Sequence, residues 1–206
     1  MRISLKLFAV LFFILLTCAQ KSFAQDEILF LNGDYATVKV LDTTDYKRIT
    51  VQREGSTKMK TWFREDIYSI KFADGTQYIV YKQDTLENEY FTPAEMRIYI
   101  QGEQDAAAGY KTPIATAGSA VVGLGGGLVL SFLAPIAPAI YTIIVGSRWI
   151  KIRKKFVSNP DLLKEEVYRM GYEKEARSKL IQNSIIGGGI GMVVGYVTAN
   201  LILLKR

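Results

Sequence analysis

The sequence predicts an α+β membrane protein: a small antiparallel β barrel or sandwich, then a capped helix and two Gly-rich transmembrane helices. Three observations carry that fold class. Short β-rich runs punctuated by turn residues fill residues 26–91, two nearly uncharged apolar stretches occupy the second half, and nothing in the composition offers another way to hold the chain together. With 49% hydrophobic and 22% charged residues among 206, the chain is too apolar to be disordered. Its 17 glycines show no three-residue period and cysteine occurs once, which excludes collagen-like and disulfide-stapled scaffolds. Histidine is absent, which removes Ser-His-Asp triads, Cys-His pairs and imidazole zinc sites.

Residues 1–24 read as a signal peptide. Arg2 and Lys6 give the basic start, Leu7 to Thr17 the apolar stretch, and Ser22-Phe23-Ala24 a small-x-small cleavage site. Eleven apolar residues reach only about 16 Å as a helix, short of a bilayer core of roughly 30 Å. Leu15-Leu16-Thr17-Cys18 resembles the lipobox of bacterial lipoproteins but departs from it at Thr17, so cleavage after Ala24 is the preferred reading. The chain beyond Ala24 then contains neither Cys nor His.

The exported β domain is expected over residues 25–92. Strands are predicted at Glu27–Leu31, Tyr35–Leu41, Arg48–Arg53, Lys58–Phe63, Ile67–Phe72 and Gln77–Lys82. Asn32-Gly33-Asp34, Glu54-Gly55-Ser56 and Ala73-Asp74-Gly75 supply the turns. A meander of this length protects its edges by curling. The aromatics Tyr35, Trp62, Phe63, Tyr68, Phe72, Tyr78 and Tyr81 are expected as cross-strand pairs and core rather than a binding face. The pattern Asn32-Gly33, Val38-x-Val40, Ile49-x-Val51 and Ile67-x-x-Ile70 resembles SH3-like or Sm-like small barrels over about a third of the chain. Many barrels share it, and the RNA binding of Sm-like relatives is not carried over. Residues 25–112 hold 11 basic and 15 acidic groups, so phosphate binding lacks its main electrostatic contribution.

A connecting helix is predicted over residues 93–112. Thr92-Pro93-Ala94-Glu95 places a hydroxyl at the N-cap, proline at N1 and the answering carboxylate at N3. Met96, Tyr99 and Ile100 form its stripe, and Gly109 is a joint.

Residues 113–206 hold 12 basic and 5 acidic groups, so the basic character of the chain belongs to this half. A transmembrane segment is expected over 113–147, kinked at Pro135 and Pro138. As one straight helix, Ile114 to Gly146 would reach about 50 Å, too long for one crossing. A single bent crossing and a hairpin both fit the length. The cluster Arg148, Lys151, Arg153, Lys154 and Lys155 favours the cytoplasmic side, which makes the bent crossing the preferred reading. Residues 148–183 are then a basic cytoplasmic connector with an amphipathic helix bearing Leu163, Val167 and Met170. Residues 184–204 form a second transmembrane helix, in which Asn200 should face another helix or water.

Both spans carry small residues at four-residue intervals: Ala115, Ser119, Gly123, Gly127 and Ser131 in the first, Gly187, Gly191, Gly195 and Ala199 in the second. Positions i and i+4 share a helix face, so each series makes a smooth groove for close helix packing. This half resembles the glycine-zipper membrane hairpins of bacterial envelope proteins. The whole arrangement resembles exported bacterial envelope proteins that join a small SH3-like or Sm-like β domain to such helices.

No residue stands out as catalytic, cofactor-binding or metal-binding. Asp26-Glu27 and Glu65-Asp66 are sequence neighbours that strands would splay apart, and Asp84, Glu87 and Glu89 lack the spacing of a calcium loop. Gly125-Gly126-Gly127 lacks the Lys-Ser/Thr of a phosphate loop. The expectation is a non-enzymatic protein of the bacterial inner membrane whose periplasmic β domain serves binding or assembly. The alternative is an oligomeric membrane-permeating or transport component. The implied partners are the lipid bilayer, anionic headgroups, and further copies of the chain or an envelope protein, with no nucleic acid and no cofactor.

Overall fold

The computed structural model describes residues 25–84, 90–129 and 134–204. The expected signal peptide with Cys18, the carboxylates Glu87 and Glu89, the ridge residue Ser131 and the tail Lys205-Arg206 lie outside the described residues. The chain divides into two compact units, one of β-sheet over residues 25–29 and 35–80, and one of helices beyond it that also takes in the turn 30–34.

The first unit is an open antiparallel sheet of six strands, in the order β4-β3-β2-β1-β5-β6. Its strands are β1 (Asp26–Phe30), β2 (Tyr35–Asp42), β3 (Arg48–Gln52), β4 (Met59–Phe63), β5 (Ile67–Lys71) and β6 (Gln77–Ile79). Each tight turn is built on a glycine with positive φ: Gly33 at 85°, Gly55 at 71° and Gly75 at 88°. Side chains there would be strained, so the turn glycines fix the register of the hairpins. Asp26 adds a longer-range pin, its carboxylate accepting from the Val40 amide at 2.8 Å and the Ala73 amide at 2.9 Å.

Chain connectivity curls this sheet. In a flat sheet β4 and β5 would stand four strand spacings apart, roughly 19 Å. Yet Phe63 and Ile67 are joined only by the 3-10 turn Arg64–Asp66, and such a turn advances about 2 Å per residue. A bulge near Leu41, where β2 shifts register against β3, supplies part of the bend. The expected closed barrel is nevertheless not formed. β4 and β6 remain as edges, both largely exposed, while Ile28, Leu29, Val38, Ile49, Val51, Ile67 and Ile70 are buried. Glu65-Asp66 lies in the 3-10 turn, not in a strand.

The second unit has four helices: α1 (Pro93–Gly109), α2 (Pro113–Leu128), α3 (Ile136–Gly146) and α4 (Glu166–Leu203). Thr92 and Glu95 close the capping box that the sequence predicts, with the Thr92 amide donating to the Glu95 carboxylate at 2.8 Å and the Glu95 amide to the Thr92 hydroxyl at 3.3 Å. α4 is one helix of 38 residues, about 57 Å long, so the expected connector helix and second span are a single element.

Residue pairings fix the helix directions. Along α4, Gly171 meets Tyr99, Lys174 pairs with Glu103 and Lys179 reaches the Ala107 carbonyl, in ascending order along α1. Further on, Gly187, Gly191 and Gly195 face Thr116, Ala120 and Leu124 of α2, again ascending. α1 and α2 therefore run parallel to α4. α3 runs against both neighbours, since Tyr141 meets Gly118 and Ala134 meets Gly126, while Pro138 meets Gly188 and Ile181 meets Gly146. α2 and α3 thus pack antiparallel, as a helical hairpin whose two ends return to one level. α2 ends at Leu128, and Pro135 occupies the N-cap position of α3.

Ile49 is wholly buried and Met59 is mostly exposed on the edge strand. Ile49→Ala is expected to destabilise the sheet by about 3 kcal/mol and Met59→Ala by less than about 0.5 kcal/mol, read from hydrogen exchange of the β2–β3 amides.

Candidate functional site

The residues that distinguish this chain lie along one side of α4, where two different kinds of contact meet end to end. In the apolar half, α2 buries Ala115, Ser119, Gly123 and Gly127, and α4 buries Gly187, Gly191, Gly195 and Ala199. These two sets face one another. A Cβ placed on Gly191 would collide with the Ala120 carbonyl, one on Gly187 with that of Thr116, and one on Gly195 with that of Leu124. The relation is reciprocal, because a Cβ on Gly123 would strike the Gly188 carbonyl and one on Gly127 the Met192 carbonyl. Such proximity places glycine Cα–H groups against carbonyl oxygens, a weak contact worth perhaps 0.5–1 kcal/mol each. Ser119 adds a hydrogen bond to the Ser184 carbonyl at 2.5 Å.

Branched residues point the other way. Ile185, Ile190, Val193, Val197, Leu201 and Ile202 of α4 are all exposed, as are Val121 of α2 and Ile143 of α3. α4 is long and apolar enough to cross a membrane, its uncharged part from Ser184 to Leu203 reaching about 30 Å. α2 and α3, at 16 and 11 residues, reach about 24 and 16 Å and fall short. Three polar side chains in these helices bond within their own helix, while the buried Ser184 hydroxyl has no hydrogen-bond partner among the described residues. Thr142, Thr198 and Asn200 each donate to the carbonyl four residues earlier, Asn200 to that of Tyr196 in its own helix.

The polar half of α4 explains Tyr168, Gly171 and Tyr172, which interrupt the apolar pattern of the sequence. They form the face buried against α1: Gly171 admits the Tyr99 carbonyl, and Gly102 of α1 admits that of Tyr168. The expected stripe is displaced, Met170 being exposed and Leu163 lying in the 3-10 turn before the helix. Asp105 ties the connector down, its carboxylate accepting from the Ser158 amide at 2.9 Å, the Ser158 hydroxyl at 2.8 Å and the Tyr168 hydroxyl. Burial, aided by the Asp105 carboxylate, pushes the Tyr168 phenol above its ordinary value. Glu103 is enclosed and pairs with Lys174 at 2.7 Å. Its second carboxylate oxygen is buried without a partner. Burial pushes the Glu103 carboxyl up, with Lys174 pulling in the opposite direction.

Between the two halves, α4 organises the ends of its neighbours. Lys179 donates to the Ala107 carbonyl near the end of α1, and Arg177 to the Gly146 carbonyl that ends α3. These are carbonyls that a helix cannot satisfy internally, and cations suit them. Asn183 donates to the Thr112 hydroxyl at 2.8 Å, just before α2 begins. The predicted basic residues Arg148, Lys151 and Arg153 lie at this level, around a cavity of about 520 Å³. Lys154 and Lys155 stand apart in a 3-10 turn, the Lys155 ammonium 4.7 Å above the Phe156 ring. The sequence pattern that would reveal the α1–α4 contact is the pairing of Gly102 with Gly171, a single glycine on each helix.

Compared with known protein families, curated proteins and solved structures, the chain has no match.

Two outcomes follow from this geometry. Gly191→Ala, which forces a methyl onto the Ala120 backbone, is expected to cost about 1–3 kcal/mol in detergent, whereas Gly189→Ala meets open space and should be neutral or stabilising by up to about 1 kcal/mol. Thermal unfolding followed by helical circular dichroism separates the two. Glu103 binds a proton more readily folded than unfolded, so its contribution to stability falls as pH rises from the ordinary 4.5 through its raised value. Glu103→Gln should flatten that part of the pH profile of the melting temperature.

Proposed function

We propose that the chain is a non-enzymatic, membrane-anchored protein of the bacterial envelope, in which the helical unit fixes an exported β domain for binding or assembly. The observation that carries the anchor is the inverted distribution of side chains in α2, α3 and α4. Glycine, alanine and serine fill the contacts while isoleucine, valine and leucine face outward. In water such a surface invites aggregation, and in lipid it is the ordinary solvent-facing surface.

The topology that fits differs from the one drawn from the basic cluster. α4 makes the one full crossing, and the α2–α3 hairpin enters and leaves on one side. The basic segment 148–155 then shares a side with α1, and no apolar stretch separates α1 from the β domain. With the leader directing the β domain outward, this side is periplasmic, and the Leu203 end of α4 lies on the cytoplasmic side. The ridges supply contacts within one chain, which leaves the multimeric pore without the grooves it was to be assembled from.

Single cysteines test this in a Cys18→Ala background. Ala94→Cys and Ser147→Cys are expected to label from the same side of sealed vesicles, and Leu204→Cys from the other. Labelling of positions 94 and 147 from opposite sides would restore the bent crossing. Release of the protein from membranes by alkaline carbonate would remove the anchor altogether.

A further inference from the structure

The cavity at the level where the two halves of α4 meet has a composition unlike the rest of the chain. Its charged lining residues are Lys111, Arg148, Lys151 and Arg153, with no carboxylate among the lining residues. None of the four makes an ion pair among the described residues, and all four are exposed. Tyr172 lines the same space; its side chain is wholly buried, yet its hydroxyl has no hydrogen-bond partner. Thr112, Pro113, Ile114 and Ala115 at the start of α2 also line the wall, and this 16-residue helix has no side-chain cap. On the apolar side stand Ile114 and Trp149, 85% and 97% exposed. An unpaired set of cations, an orphaned buried hydroxyl and an uncapped helix start are jointly suited to a phosphate-bearing anion. The adjoining apolar wall and the position at the upper end of the uncharged part of α4 suit the acyl chains of the same molecule.

We propose that this cavity binds the headgroup of an anionic phospholipid. Its phosphate lies among Lys111, Arg148, Lys151 and Arg153 and accepts the Tyr172 hydroxyl, and its chains descend past Ile114 and Trp149. The occupant deepens the anchor reading and rests on it. A basic segment on the exported side is otherwise anomalous; as part of a lipid site it is held where it is by the ligand it binds.

Native mass spectrometry of the full chain in dodecylmaltoside, with phosphatidylglycerol or phosphatidylcholine of matched chains added, tests the proposal. The wild type should retain phosphatidylglycerol in preference to phosphatidylcholine. The double variant Arg148→Ala/Arg153→Ala should reduce that preference about tenfold. Lys154→Ala/Lys155→Ala removes the same charge outside the cavity and should leave it unchanged. Tyr172→Phe, which keeps the ring and deletes only the orphaned hydroxyl, should weaken retention while leaving the melting temperature of the lipid-free protein unaltered. Equal loss from both double variants would reduce the effect to net charge and overturn the site. Displacement of bound phosphatidylglycerol by millimolar inorganic phosphate would show a free-anion site and overturn the lipid assignment. A protein that fractionates with membranes but shows no preference between the two lipids sinks this inference and leaves the anchor standing, whereas a protein soluble without detergent sinks the anchor first.

Discussion

The approach of the α2 backbone to the α4 backbone, too close for a Cβ on either side, is the constraint from which the helical unit follows. Carbonyls of Thr116, Ala120 and Leu124 occupy the space that side chains would take on Gly187, Gly191 and Gly195. An interior glycine costs a helix about 1 kcal/mol relative to alanine, so such a series persists only where proximity returns more than flexibility takes away. Inside lipid no hydrophobic gain accrues from bringing helices together, because hydrocarbon solvates leucine as well as another helix does. What remains is dispersion and weak polar contact summed over a long smooth surface. The two helices run parallel, and the four-residue steps of one meet those of the other in sequence along that surface.

The same device recurs in the polar half with different support. Gly102 and Gly171 admit the carbonyls of Tyr168 and Tyr99, so α1 and α4 are also drawn to backbone contact. There, however, the flanks are Tyr168, Tyr172, Ala106 and Ala176, with partly buried Ile98 and Leu162 packed against them. Burial of two whole tyrosines brings a large apolar area out of water, a contribution the α2–α4 contact lacks. Asp105 supplies the corresponding polar lock by holding Ser158 and Tyr168 together. The partners of this one helix thus change in kind where Arg177, Lys179 and Asn183 tie off the neighbouring helix ends.

Much of this was legible in the residues, and the parts that were not share a cause. Strand positions could be read because Gly33, Gly55 and Gly75 leave no other backbone choice, and α1 because Thr92 and Glu95 recognise each other across three residues. The four-residue series could be read because its period matches one helix face. Chain direction could not. Pro135 and Pro138 interrupt a helical pattern, but a kink and a reversal use the same residues, and the residues alone do not separate them. Closure of the sheet was equally hidden, since it depends on which edge finds a partner rather than on any strand's own pattern. Tyr168, Gly171, Tyr172 and Asp105 were opaque for a further reason: each acts on a partner more than 50 residues away, and no local period marks it.

The unpaired charges lie at the level where the partners of α4 change in kind. A cation near the boundary can cap a helix end, as Arg177 and Lys179 do, or stand over a ring, as Lys155 does. Lys111, Arg148, Lys151 and Arg153 do none of these, although Asp105 and Glu103 belong to the same helical unit and are already engaged elsewhere. Four like charges gathered around one cavity repel one another unless an anion or water separates them. Distributing them along the exposed connector would relieve that repulsion at no loss of packing, since Arg148 and Lys151 have no partner to give up. Their convergence beside the orphaned Tyr172 hydroxyl, next to the exposed apolar residues Ile114 and Trp149, is the arrangement that the proposed lipid phosphate would neutralise.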